Sequence, residues 1–115
     1  MNYDLEERTA KFGEDVIKFC RGIKQDVITI PIINQIIKSS TSIGANYMEA
    51  NQASSKRDFR NKIKISQKEA NETKHWLRMI STAVLDKKEE CRKLWKEVHE
   101  LILIFAKISR TCGEK

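Results

Sequence analysis

Two histidines, three cysteines and sixteen carboxylates are the side chains in this 115-residue chain that could hold a metal or move a proton. Glu72-Thr73-Lys74-His75 has the Glu-x-x-His spacing that sets a carboxylate and an imidazole on one helical face, one half of a carboxylate-bridged two-metal site. Such a site needs the motif twice, and Glu97-Val98-His99 is one residue short. Zinc would need cysteines close to the histidines. Cys20, Cys91 and Cys112 are dispersed, odd in number and never spaced Cys-x-x-Cys, so neither a metal nor a disulfide framework is expected. Cys20 and Cys91 read as small apolar core residues, and Cys112 lies at the chain's frayed end. No Gly-rich phosphate loop and no Ser/His/Asp or Cys/His arrangement at telling spacing is present. The expectation is a protein that is not an enzyme and carries no cofactor.

The other chemistry is charge. The formal net charge is +6. Residues 1–24 are neutral and residues 25–53 net −1, whereas residues 54–80 hold eight basic against three acidic side chains, a net +5; residues 81–115 net +2. At 100° per residue, Lys56, Arg57, Arg60, Lys64, Lys68, Lys74 and Arg78 fall within an arc of about 120°, shared only with Gln67, Asn71 and His75. Asp58, Glu69 and Glu72 sit on a separate strip with Ile65 and Trp76. A helix built for solubility mixes signs so that i,i+4 pairs help. Seven like charges repel one another, and that arrangement is useful when an anion arrives. A nucleic-acid backbone is the natural anion, because each neutralised phosphate releases counterions and adds sequence-independent affinity. No helix-turn-helix spacing, zinc finger or aromatic row accompanies the cations, so little base readout is expected.

The elements that carry this arc are helices. With 40% hydrophobic residues, 33% charged, four Gly and one Pro, the composition suits a folded and mostly helical chain, of a length for one domain spanning 1–115. Apolar residues recur at the 3.6-residue period over 4–21, 30–52, 55–84 and 86–111. Asp4…Glu7, Ser55…Asp58 and Asp86…Glu89 read as capping pairs, Pro31 as a residue of a first helical turn, and Gly22 and Gly113 as stops. The very short links after the second and third helices imply an antiparallel up-down four-helix bundle, all-α. The longest apolar run, Leu101–Ala106, is far below the roughly 20 residues a membrane span requires. The acidic opening Met1–Glu7 lacks the layout of a secretion signal, so a cytoplasmic, soluble protein with no membrane partner is expected.

The first helix has one stripe of Leu5, Phe12, Val16, Phe19, Cys20 and Ile23, and the fourth has one of Cys91, Leu94, Trp95, Val98, Leu101, Ile102, Phe105 and Ile108. The second helix is apolar over about 160°, and its Ser40 and Gly44 would let another backbone come close. Its remaining face, Gln35, Ser39, Ser42 and Asn46 with Glu49 beyond, is polar but almost uncharged. A face of that kind is expected to be covered by a neighbouring helix or by another copy of the protein. A homo-oligomer is the reading, with Gln35, Ser39, Ser42, Asn46, Glu49 and Trp76 as its interface.

The stretch Gln35–Ala50, with Ser42-Ile43-Gly44-Ala45-Asn46-Tyr47 at its centre, resembles the signature of bacterial four-helix bundle proteins encoded in intervening sequences of large-subunit ribosomal RNA genes. Ser55-Lys56-Arg57-Asp58-Phe59, Lys68–Leu77 and the opening Asp4–Thr9 with Phe12 are similar to the same family, whose members often carry a ribosomal-protein label that comes from gene location. The resemblance implies a barrel-like homopentamer of up-down bundles. It also implies kinship with the accessory variability determinant proteins of diversity-generating retroelements, which bind nucleic acid and associate with a reverse transcriptase. By that similarity the cations around Arg57, Arg60 and Lys64 would meet RNA or DNA, while Asn46, Glu49, Lys68, Glu69 and Glu72 would form buried polar pairings that set register or subunit contacts. The alternative is an interaction scaffold that docks a partner such as a polymerase without touching nucleic acid.

Overall fold

The computed structural model describes residues 3–113, which form four helices: α1 (Tyr3–Arg21), α2 (Thr29–Asn51), α3 (Lys56–Ala83) and α4 (Lys88–Gly113). No strand occurs among the described residues. Met1 and Asn2 of the acidic opening and the residues after Gly113 lie outside the description, as does the side chain of Asp4, so the expected Asp4…Glu7 cap does too.

Ser55 caps α3 as its spacing predicts: the extended residue (φ −148°, ψ 161°) accepts the Asp58 amide on Oγ at 3.0 Å. Two other helix starts differ from the expectation. Asp86 does not cap α4; Leu85–Lys87 instead forms a single 3₁₀ turn, and α4 begins at Lys88 with Glu89 and Glu90 at its positive dipole end. α2 is opened by Asp26, whose Oδ1 accepts the amides of Ile28 and Thr29 at 2.9 Å each, while Thr29 Oγ1 accepts the Asp26 amide at 2.9 Å. This is a capping box with Thr in the reciprocal position. The Ile30 amide bonds the Asp26 carbonyl at 3.0 Å, and the proline at 31, third residue of α2, lies in its first turn as the sequence suggested. Gly22 follows α1, but no described glycine adopts a positive φ; the chain leaves the helix through tight bonds from Gly22 and Ile23 to the carbonyls of Phe19 and Cys20.

Each helix meets its neighbour in the chain and α1 and α4 close the ring, while on the diagonal the Tyr47 ring of α2 and the Phe105 ring of α4 meet in the core with centres 6.0 Å apart. The body measures 47 × 20 × 20 Å, its length matching a 28-residue helix at about 1.5 Å per residue. Val16, Ile36, Ile43, Ile63, Leu77, Val98, Leu101 and Phe105 fill the shared core. Cys20 and Cys91 are buried free thiols. Trp95, expected in the core stripe of α4, lies at its edge and is 39% exposed.

The broad apolar arc of α2 has a simple cause, because α2 is clasped on two sides. Toward α1 its Gly44 lies so close that an added Cβ would sit 3.2 Å from Thr9 Oγ1 and 3.4 Å from the Thr9 carbonyl carbon. Toward α3, Ser39 Oγ and Thr73 Oγ1 are 2.8 Å apart and Ser66 donates to the Ile43 carbonyl at 3.0 Å. Each hydroxyl also has a carbonyl of its own helix, Glu69 at 2.9 Å from Thr73 and Ile36 at 3.4 Å from Ser39, and the shorter Thr73 bond favours Ser39 as the donor between the two hydroxyls. Across the ring, Arg8 on α1 grips Glu97 through two bonds of 2.7 and 2.9 Å and Glu100 through a third of 2.7 Å.

Candidate nucleic-acid interface

Because α3 packs its Ile63–Ser66–Ala70–Thr73–Leu77 edge inward, the basic arc is carried away from the core. Lys56, Arg57, Lys64, Lys68 and Arg78 are exposed and Arg60 is half-buried. None of these six lies within ion-pair distance of a carboxylate among the described residues. Lys62, off the arc, turns toward α2 and pairs with Glu49 at 2.7 Å, which holds its ammonium above the ordinary lysine range.

Lys74 departs from the expected row. Its ammonium lies 4.2 Å from the ring centre of Trp95 and 3.1 Å from His99 Nδ1, and the imidazole stacks on the indole at 4.9 Å with planes 9° apart. This cation is folded against α4, because its position on α3 faces the groove between the two helices. His75, one residue on, is exposed and meets Trp76 edge-on at 4.8 Å. Glu72 is exposed like His75, and no group of three or more potential metal ligands occurs among the described residues.

The flank does not stop at α3. Beside Arg78 a cleft of about 350 Å³ opens toward α4, lined by Leu77, Ser81, Lys88, Cys91, Arg92 and Trp95. Burial raises the Cys91 thiol above its ordinary range, so it is no ready nucleophile there. The spacing 88, 92, 95, 99 on one side of α4 was the sequence signal for this wall, and assigning Trp95 to the core concealed it.

The residues expected at an oligomer interface divide. Ser39 is only 2% exposed, already enclosed by α3 through its bond to Thr73, and cannot face another subunit; the uncharged character at that position answers to a neighbouring helix. Gln35 is exposed. Ser42 and Asn46 are half-buried and bond the backbone of their own helix, to the carbonyls of Lys38 and Ser42 at 2.7 and 2.9 Å. Glu49 is exposed and engaged by Lys62, and Trp76 is half-buried. Lys68 and Glu72 are exposed, so they form no buried polar pairing within the chain. Glu69 is half-buried, and its carboxyl is pushed above the usual carboxylate range by burial and then by Glu72.

Fold and surface together define an all-α, four-helix protein with one cationic flank. A sequence model of the 23S rRNA-intervening sequence protein family matches residues 1–107, and the chain belongs to that family. The chain is also similar to a crystal structure from Bacteroides thetaiotaomicron VPI-5482, described as a protein with unknown function from the S23 ribosomal protein family. The two share 30% identity over 90% of this chain and 96% of that one, with a TM-score of 0.81. No curated protein matches the chain. No helix among the described residues is long and apolar enough to cross a membrane.

Proposed function

We propose that this protein is a non-enzymatic, cytoplasmic accessory that holds RNA or DNA by its backbone through the outward face of α3. The observation that carries this reading is the row Lys56, Arg57, Arg60, Lys64, Lys68 and Arg78, turned from the core and without carboxylate partners among the described residues. Cations left this way along a helix some 42 Å long, 28 residues at about 1.5 Å each, offer an extended positive face to the densely charged backbone of a nucleic acid. Binding of this kind has little sequence preference.

The helices run as an antiparallel up-down bundle in this reading. Ser39 with Thr73, Ile43 with Ser66 and Glu49 with Lys62 support it for α2 and α3, since the residue number climbs along one helix as it falls along the other. The protein self-associates, as a homopentamer by the resemblance of its sequence, so that several weak phosphate-binding faces act together and gain avidity without new contacts. The exposed apolar side chains Ile17, Met48, Ile65 and Leu103 support a covered surface.

Titration of a duplex at increasing salt tests the ligand. Affinity falls steeply with salt. Arg57→Glu with Lys64→Glu weakens all sequences alike and flattens the salt slope by about 0.9 for each B-DNA phosphate that is no longer neutralised. A duplex and a single strand that both fail to bind at about 50 mM salt overturn the reading, and a polymerase or reverse transcriptase that co-purifies in that case establishes a scaffold instead. A light-scattering mass near 13.4 kDa would overturn the oligomer.

A further inference from the structure

The Arg78 end of the cationic flank is built differently from the rest. Along most of α3 the cations stand on the outer surface of the helix, but beside Arg78 they border an open cleft. Its volume of about 350 Å³ falls at the small-ligand end of the roughly 300–1,000 Å³ typical of binding pockets. The floor is apolar, from the buried Leu77 and Cys91. Trp95 stands as one wall with 39% of its surface exposed, and Ser81 supplies a hydroxyl beside it.

Three cations line the same cleft. Arg78 and Lys88 have no carboxylate partner among the described residues. Arg92 has Glu89, one turn back on α4 at 2.6 Å, with side chains 61% and 69% exposed. An exposed pair of that kind contributes little, so a phosphate can displace it at small cost. Arginine forks match phosphate oxygens two at a time. The Trp95 ring is held in place by His99 stacked on it and by Lys74, so little ordering remains when a flat ligand meets it. A planar apolar wall, an apolar floor and a cationic mouth are together the chemistry of a nucleobase joined to a phosphate.

We propose that the α3–α4 cleft takes one unpaired nucleotide, its phosphate among Arg78, Lys88 and Arg92 and its base against Trp95. The proposal rests on the reading that the protein binds nucleic acid, and it adds a preference: a duplex keeps its bases stacked, whereas a single strand offers one to the cleft.

Trp76→Phe leaves Trp95 as the chain's one indole, since there are two tryptophans. A short thymidine oligonucleotide then quenches its emission saturably. Thymidine monophosphate, titrated alongside, separates the sources: quenching by both means that a free nucleotide suffices, and quenching by the oligonucleotide alone means that the strand must continue onto α3. Arg78→Glu with Lys88→Glu, both exposed positions, weakens the oligonucleotide by tenfold or more and preserves helical circular dichroism. Trp95→Leu removes a base contact worth about 1–3 kcal/mol, or roughly five- to hundredfold, from single-strand affinity and leaves duplex affinity nearly unchanged. Inorganic phosphate that quenches as strongly as the nucleotide overturns the base contact. Duplex binding with a normal salt slope, but no change in Trp95 emission and no effect of Trp95→Leu, overturns the cleft and leaves the backbone reading intact. No binding of any nucleic acid overturns both.

Discussion

Lys74 donates to Nδ1 of His99 while its ammonium sits 4.2 Å over the ring of Trp95. An ammonium has only hydrogens to give, so Nδ1 is the acceptor and the imidazole proton belongs on Nε2. One lysine therefore ties α3 to α4, where a row of seven equal surface cations was expected.

That role separates Lys74 from Lys64. Lys74→Met lowers the unfolding free energy by about 1 kcal/mol, the scale of a partly desolvated cation–π contact, and changes duplex affinity less than Lys64→Met does. Lys64→Met leaves stability within about 0.5 kcal/mol, as an exposed substitution should. Urea denaturation and a duplex titration on the two variants check the ordering; the reverse order would place Lys74 on the binding surface.

The α1–α2 crossing gives opposite expectations for two glycines. A Cβ on Gly13 would meet Thr41 at 3.5 Å, ordinary contact, so Gly13→Ala gains about 0.5–1 kcal/mol from helix propensity and a less flexible unfolded chain. At Gly44 the same atom would press on Thr9 at 3.2 Å from Oγ1 and 3.4 Å from its carbonyl carbon, and the Thr9 hydroxyl is held by the Glu6 carbonyl at 3.1 Å. Gly44→Ala thus forfeits the gain and falls at least about 1 kcal/mol below Gly13→Ala. Denaturation midpoints of the two variants decide the matter, and equal stabilisation would show that α1 shifts freely.

Acid has two opposed effects. Burial and the neighbouring Glu72 hold the Glu69 carboxyl above its ordinary range, so the native state keeps a proton that the unfolded chain releases. Its ionisation therefore opposes folding as pH rises through the carboxylate range. Glu69→Gln raises the melting temperature near neutrality, by the equivalent of about 0.5 kcal/mol or less, and the gain vanishes in acid. Asp26 is held below its ordinary range, chiefly by the Thr29 and Ile28 amides. Its contribution is complete above the unfolded value and is lost as pH falls through the lower native one. Asp26→Ala melts earlier near neutrality, and its deficit against the parent closes in acid. Thermal melts of both variants at neutral and acid pH read the two signs.

Much of the fold was legible in the residues. The 3.6-residue spacing of Leu5, Phe12 and Val16, or of Val98, Leu101 and Phe105, names buried faces directly, because one helical stripe can face only one core. Ser55 announced the start of α3 for the same local reason: a cap bonds an amide three residues away. Asp26 was missed because its partner is Thr29 and not the Glu or Gln of the usual box. Asp86 was misread because the 3₁₀ turn at Leu85–Lys87 absorbs the change of direction before α4 begins.

By itself the sequence determined the helices, the family and the crowding of positive charge onto α3, since each depends on spacing along one chain segment. What covers a polar residue depends on a partner far away in number. Ser39 was assigned to a subunit surface and lies inside against Thr73, while Trp95 was assigned to the core and stands at the rim of a cleft beside Arg78. Only the packing of α3 against both neighbours decided these, because a helix's own periodicity fixes the angle of a side chain but not which helix stands opposite it.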